Sequence, residues 1–188
     1  MLCGFIAILG APNVGKSTLL NRIVGTKVSI VSPKVQTTRT RVLGIALDGN
    51  AQLIFIDTPG IFLPKRRLDR AMVAAAWGGV GDVDRVLLLI DTRKGLDPDT
   101  KLIIDKLLKQ EGRTIDLVLN KIDLVDKQKL LGLAEKLNQY GIFNQIFMVS
   151  TEKGDGVEDL VSYLKLQMPV SPWLFPEDQV SDMPLRLL

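Results

Sequence analysis

The sequence predicts an α/β fold: a six-stranded, mostly parallel sheet with one antiparallel edge strand and helices on both faces. Three observations carry that expectation. Short apolar, β-rich runs alternate with stretches of helical period, the pattern of a parallel sheet covered by helices. One pair of runs is separated only by Asp48-Gly49-Asn50, which is hairpin chemistry. A glycine-rich loop stands between the first run and the first helical stretch.

Taken in order, strands are predicted at 4–9, 41–47, 53–56, 86–90, 115–119 and 146–149. Helices are predicted at 16–24, 68–77, 100–109, 127–140 and 157–166. The short Asp-Gly-Asn connection makes the second strand antiparallel to the third and places it at the sheet edge. The last twenty residues, PVSPWLFPEDQVSDMPLRLL, change character to four prolines without regular period and read as a linker, whose MPLRLL resembles a helix start.

The loop Gly10-Ala11-Pro12-Asn13-Val14-Gly15-Lys16-Ser17 fits GxxxxGK[ST] after a strand and before a helix, the context this motif requires. Its glycines let the backbone wrap around phosphate, its N–H groups form an anion nest, and the helix N-terminus adds a positive dipole end. Lys16 is expected on the β- and γ-phosphates and the Ser17 hydroxyl on Mg²⁺.

In LIFIDTPG, a hydrophobic strand ends in Asp57, placed to hold the Mg²⁺ shell, while Thr58 and Pro59 shape the loop and the Gly60 N–H meets the γ-phosphate. Between these loops lies SPKVQTTRTR, where Thr38 or Thr37 supplies a second hydroxyl to the metal and an N–H to the γ-phosphate. A loop held only by phosphate and metal relaxes after hydrolysis, which makes a nucleotide-driven switch. A plain Thr-rich connector is the alternative.

Asn120-Lys121-Ile122-Asp123 follows the fifth strand, where open α/β sheets place ligand contacts. A carboxylate accepts from guanine N1–H and its exocyclic amino group, a donor pair adenine lacks, so guanine is favoured. After the sixth strand comes Ser150-Thr151-Glu152-Lys153-Gly154, where the Thr151 backbone is expected to donate to guanine O6.

Together these residues resemble the P-loop NTPase G domain of the translation-factor-related GTPases, and more closely the Era family. GAPNVGKSTLLN matches that family's first motif, QTTRTR its second, DTPG its third and NKID its fourth, and FPEDQVSD resembles the segment after such a G domain. The resemblance covers essentially the whole chain. It implies a G domain at 1–168 and a linker or tail at 169–188 toward a C-terminal KH domain, whose GxxG loop clamps nucleic acid.

By that resemblance Lys16, Thr38 and Gly60 are the catalytic residues, and Ser17, Thr38 and Asp57 hold Mg²⁺. Nucleotide contacts carry over to Gly10, Asn13, Val14, Gly15, Lys16, Ser17, Thr18, Asp57, Thr58, Pro59, Gly60, Asn120, Lys121, Asp123, Ser150, Thr151 and Glu152. Thr151 departs from the family's usual alanine. The implied function is GTP hydrolysis to GDP and phosphate as a conformational switch in small ribosomal subunit (30S) assembly and 16S rRNA maturation.

The alternative is a guanine-nucleotide sensor or RNA-binding module with negligible hydrolysis. A P-loop kinase leaves NKID unexplained. Related GTPases with asparagine at the Asn13 place hold a monovalent cation there, so K⁺ stands against a plain loop residue. Ile61 stands where Ras-like relatives carry a water-orienting glutamine, so water must be held by other groups.

Composition narrows the remaining classes. One cysteine, Cys3, allows no intramolecular disulfide and reads as a buried strand residue in a reducing compartment. The first apolar run stops at Gly10, short of the about 20 residues that span a bilayer, which points to a soluble, cytoplasmic protein, with monomer as the default state. Peripheral association with the inner membrane is implied only by the resemblance, and no amphipathic anchor stands out. With 24 basic against 21 acidic residues, overall charge implies no nucleic-acid partner. The cluster PKRRLDR at 64–70 reads either as a solvated loop or as an RNA contact, and Trp173, Leu174 and Phe175 are too apolar for a free linker.

Overall fold

The computed structural model describes residues 1–26, 29–30, 41–57 and 83–176. The predicted helix at 68–77, the loop 31–40, the cluster 64–70 and the segment 177–188 lie outside the described residues. The chain forms two compact units: Met1–Ala7 with Val24–Asp84 and Leu164–Leu188, and Ile8–Ile23 with Arg85–Tyr163.

In the first unit the strand order is β2-β3-β4-β1, with β1 at Leu2–Gly10, β2 at Ser29–Ile30, β3 at Arg41–Asp48 and β4 at Ala51–Asp57. β1 is parallel to β4, β3 antiparallel to β4, and the two-residue β2 pairs with the outer side of β3. The Asp48↔Ala51 pair closes a two-residue loop, and the positive φ of Gly49 (+61°) falls where a type II′ hairpin needs glycine.

This unit also carries a strap at 169–176. Gln52 is fully buried in β4 (0 % exposed), and an amide inside an apolar strand must find partners. Its Oε1 accepts from the N–H groups of Leu174 (3.0 Å) and Phe175 (3.1 Å), and its Nε2 donates to the Phe175 carbonyl (2.9 Å). Trp173 Nε1 donates to the Asn50 carbonyl, and the Cys3 N–H to that of Pro169. Trp173, Leu174 and Phe175 are therefore fastened down on the β1–β4 pair. Cys3 is buried, as its apolar setting suggested.

In the second unit β5 (Arg85–Asp91), β6 (Ile115–Asn120) and β7 (Phe143–Met148) are parallel neighbours in that order. Every residue of β6 is buried, as in a strand covered on both faces. The helices are α1 (Lys16–Thr26), α2 (Pro98–Leu108), α3 (Lys127–Asn138) and α4 (Val157–Gln167). α2 starts two residues before its predicted position because Asp97 caps the Thr100 N–H (2.8 Å) and Pro98 takes the first helical place.

Buried Ile104 and Leu107 give α2 its apolar face, and Leu130, Leu133 and Leu137 do the same for α3. All six predicted strands are present, but the edge position expected of the strand at 41–47 is taken by the short, unpredicted β2, which pairs with its outer side. β7 begins three residues earlier than its apolar signal, since Asn144 and Gln145 are exposed and interrupt the pattern.

Candidate functional site

The carboxyl ends of β1, β5, β6 and β7 lead into loops of the second unit, and these loops form one cleft. β1 ends at Gly10 and α1 opens at Lys16, so the helix's first N–H groups have no intrahelical acceptor. The loop between is anchored by the buried side chains of Ala11 and Val14, while Asn13, Ser17 and Thr18 are exposed. Gly15 has φ +103°, and a Cβ there would overlap the Asn120 amide. Lys16 Nζ donates to the Gly10 carbonyl (2.7 Å), which curls its ammonium back over the loop.

Asn120, the last residue of β6, is fully buried (0 % exposed) and acts as a clasp. Its Nδ2 donates to the Val14 carbonyl (2.8 Å) and to Thr151 Oγ1 (3.1 Å), and its Oδ1 accepts from the Thr151 N–H (3.1 Å). One side chain thus ties the phosphate-type loop to the two loops that follow β6 and β7. That bond also occupies the Thr151 N–H expected to face a base, whereas the next N–H, of exposed Glu152, has no acceptor among the described residues.

Asp123 lies in a single 3-10 turn, Ile122–Leu124, directly after the clasp. Ser150 Oγ donates to its Oδ1 (2.8 Å), and Ser150 is itself buried. The hydroxyl fixes the carboxylate's orientation and leaves its other oxygen to accept. Arg22 of α1 supports the same region by donating to the Thr151 and Glu152 carbonyls.

Lys121 has left-handed backbone (φ +64°), strained for a non-glycine residue, and the end of β5 holds it there. The Thr92 N–H donates to the Asn120 carbonyl (3.1 Å) and Thr92 Oγ1 to that of Lys121 (3.1 Å). Lys121 Nζ lies 2.9 Å from Asp91 Oδ2 and 2.8 Å from the Asn13 carbonyl oxygen. Arg93 adds a bidentate pair to Asp91. Burial pushes the Asp91 carboxyl up, but the Arg93 and Lys121 donors outweigh it and hold it well below the usual carboxylate range. Asp91, Thr92, Arg93 and Arg22 are site residues that sequence reasoning missed; the strand-end position of Asp91 was the available signal.

The cleft encloses about 550 Å³ and is lined by Asn13, Gly15, Lys16, Ser17, Thr18, Arg93, Lys121, Asp123, Leu124, Thr151 and Glu152. Gly10, Val14, Asn120 and Ser150 stand behind that lining as supports. Asp57 is described by its backbone alone, as the end of β4, and Thr37, Thr38, Thr58, Pro59, Gly60 and Ile61 lie outside the described residues. The cleft therefore combines a cationic, N–H-rich floor with an oriented carboxylate, which suits an anionic ligand carrying a hydrogen-bond-donating ring.

A family model described as a 50S ribosome-binding GTPase matches residues 5–121. The protein "GTPase Era" of Afipia carboxidovorans is 56 % identical over 186 residues, 99 % of this chain and 60 % of that relative. That of Sinorhizobium medicae is 54 % identical over 185 residues, 98 % of this chain and 59 % of the relative. The chain thus spans about three-fifths of the length of these relatives.

Among solved structures, Era in complex with MgGDPNP and nucleotides 1506–1542 of 16S ribosomal RNA matches with TM-score 0.71 and 41 % identity, over 99 % of this chain and 63 % of that one. A variant of Aquifex aeolicus Era bound to GDP·AlF4⁻ matches with TM-score 0.70 and 40 % identity, over 99 % of this chain and 64 % of that one. The P-loop G-domain fold expected from the motifs is the fold of these structures. With matching loops on a matching scaffold along nearly its whole length, the chain belongs to the 50S ribosome-binding GTPase family and, within it, to the Era type.

Proposed function

We propose that this chain binds guanine nucleotide in the cleft of its second unit and hydrolyses GTP to GDP and phosphate, as the switch of a larger protein in small ribosomal subunit assembly. The observation that carries the reading is the Asn120 clasp with Ser150-oriented Asp123 beside the phosphate-type loop. The free Asp123 oxygen and its bonded partner accept from guanine N1–H and the exocyclic amine, and adenine offers no such pair. O6 is served by the backbone N–H of Glu152, since that of Thr151 is already held by Asn120. Lys16 and the open N–H groups of α1 hold phosphate charge where it grows during the reaction.

The residues fit Mg²⁺, a hard cation that prefers oxygen. Ser17 Oγ is exposed at the head of α1 and makes no hydrogen bond among the described residues. Ser17, with Asp57 and Thr38, would hold the ion, which neutralises phosphate charge when bound. With Ile61 after Gly60, the water is oriented by backbone and by the Thr38 region. The Asn13 side chain, exposed and without a hydrogen-bond partner among the described residues, suits K⁺ as added positive charge.

The 16S rRNA in the Era complex supports the small-subunit reading, in which the RNA is held chiefly by a KH domain in the part of the relatives that this chain does not span. The strap at 169–176 leads toward that part, the KH domain of the reading. Among the described residues no helix is long and apolar enough to cross a membrane. The chain works as a monomer in the cytoplasm, any inner-membrane association being peripheral.

The test is GTP turnover by this chain with Mg²⁺, in K⁺ and in Na⁺, with and without the 16S rRNA segment. Tight GTP and GDP binding that excludes ATP, with phosphate release faster in K⁺, is expected. Equal binding of ATP overturns the guanine reading. Tight GTP binding without phosphate release leaves a sensor, and equal rates in the two salts remove the K⁺ role.

A further inference from the structure

Among the described residues Asp91 is the one acid buried at the head of this cleft, and all of its acceptor capacity is spent inside the protein. It is 2 % exposed and receives the Arg93 N–H (3.0 Å), Arg93 Nε (3.2 Å), Arg93 Nη2 (2.9 Å) and Lys121 Nζ (2.9 Å). With four donors on two oxygens it has nothing left to offer a ligand. Its effect must pass through the groups it holds.

The chief of these is Lys121, whose ammonium also donates to the Asn13 carbonyl (2.8 Å). Lys121 and Asn13 share left-handed backbone, both at φ +64°, and neither is glycine. Such conformations are costly for non-glycine residues and persist only where surrounding bonds impose them. The Lys121 ammonium therefore caps the strained Asn13 peptide of the phosphate loop, while Thr92 holds the strained Lys121 peptide of the base-reading loop. Asp91 supplies the counter-charge that keeps the ammonium between them.

Resting on the guanine-nucleotide reading above, we propose that Asp91 is a positioning residue that locks Lys121 onto the Asn13 peptide and so couples the base loop to the phosphate loop. Without the carboxylate, the 24 %-exposed Lys121 side chain moves to water, where a lysine head is well solvated. The Asn13 peptide then loses its cap, and bound nucleotide is held by two loops that no longer move together. The consequence is faster release of nucleotide, although Asp91 itself touches none of it.

The experiment is a double-mutant cycle on the dissociation rate of a fluorescent GDP from the 188-residue chain, using Asp91→Asn, Lys121→Ala and the pair. Asp91→Asn is expected to speed release about tenfold, as for loss of one charge-assisted bond. The pair should release no faster than Lys121→Ala alone, because Asp91 acts through Lys121. A purely structural Asp91 gives effects that multiply, and that result overturns the proposal, as does an Asn variant within about twofold of wild type.

Asp91→Glu guards against an Asn variant that does not fold. It keeps the anion within reach and should stay within about threefold of wild type, whereas release as fast as from Lys121→Ala refutes the role. Wild type that prefers GDP over ADP keeps the nucleotide reading alive whichever way the variants fall. A wild type that binds neither overturns both.

Discussion

Replacing Asn120 by alanine separates a clasp from a base contact. The side chain is fully buried and satisfies the Val14 carbonyl, the Thr151 N–H and Thr151 Oγ1, and both of those residues are themselves at most 3 % exposed. Alanine leaves all three unpaired, and each orphaned buried group costs about 1–3 kcal/mol. Relaxation of the Gly15 loop lets one or two of them reach water, so the expected loss is about 3 kcal/mol, the low end of the sum. In a chain of this length that lowers Tm by about 6–12 °C.

The assay is thermal unfolding of the nucleotide-free chain, with GDP affinity measured alongside. Both should fall. Asn120→Asp should cost at least as much as alanine: Thr151 Oγ1 can turn its proton toward the new oxygen, but the Val14 carbonyl would face a second acceptor at 2.8 Å. A nucleotide-free Tm within about 2 °C of wild type, with GDP binding gone, refutes the clasp and makes Asn120 a ligand contact only.

Gly15→Ala should fold yet weaken GDP binding at least tenfold by equilibrium titration, since its Cβ meets the Asn120 amide at φ +103°; unchanged affinity contradicts the close approach. Gln52→Leu keeps an apolar surface but orphans the Leu174 and Phe175 N–H groups, so amide exchange at 173–175 should accelerate by a hundredfold or more while GDP binding stays intact. Asp91 carries a depressed folded pKa, so the unfolded chain binds more protons in acid; its stabilisation is full above about pH 5 and fades as pH falls. Urea midpoints from pH 6 to pH 3 should therefore decline less steeply in Asp91→Asn than in wild type. Ile61→Ala should reduce GTP turnover far less than Lys16→Ala, because an aliphatic side chain neither donates nor accepts; a collapse in the Ile61 variant with binding intact would reverse that assignment.

Which parts of the site were legible follows from where each signal resides. A phosphate loop is legible because backbone geometry demands glycine at fixed places, and Gly15 shows that demand twice, in its φ and in the Asn120 amide at its missing Cβ. NKID was legible because the guanine reading demands a carboxylate at Asp123, directly after a strand end. The true occupation of Asn120 was not, since its partners, Val14 and Thr151, are backbone and hydroxyl groups 106 and 31 residues away. For the same reason the Thr151 N–H looked available when it is already spent.

Gln52 and Asp91 carry the argument one step further. Each breaks an apolar strand with a polar group that burial makes costly unless it is paired, so each states a need without naming who meets it. For Gln52 the answer is a strap 122–123 residues later, beyond any local pattern. For Asp91 most of the answer is two residues away in Arg93, and the rest is Lys121 of the motif already recognised. The rule that ligand-side chemistry gathers at the carboxyl ends of parallel strands was applied to β4 and β6; extended to β5, it singles out Asp91 on sequence grounds. A buried polar residue at such a strand end, inside an otherwise recognisable nucleotide fold, is then best read as a support for the neighbouring loop's contact residue.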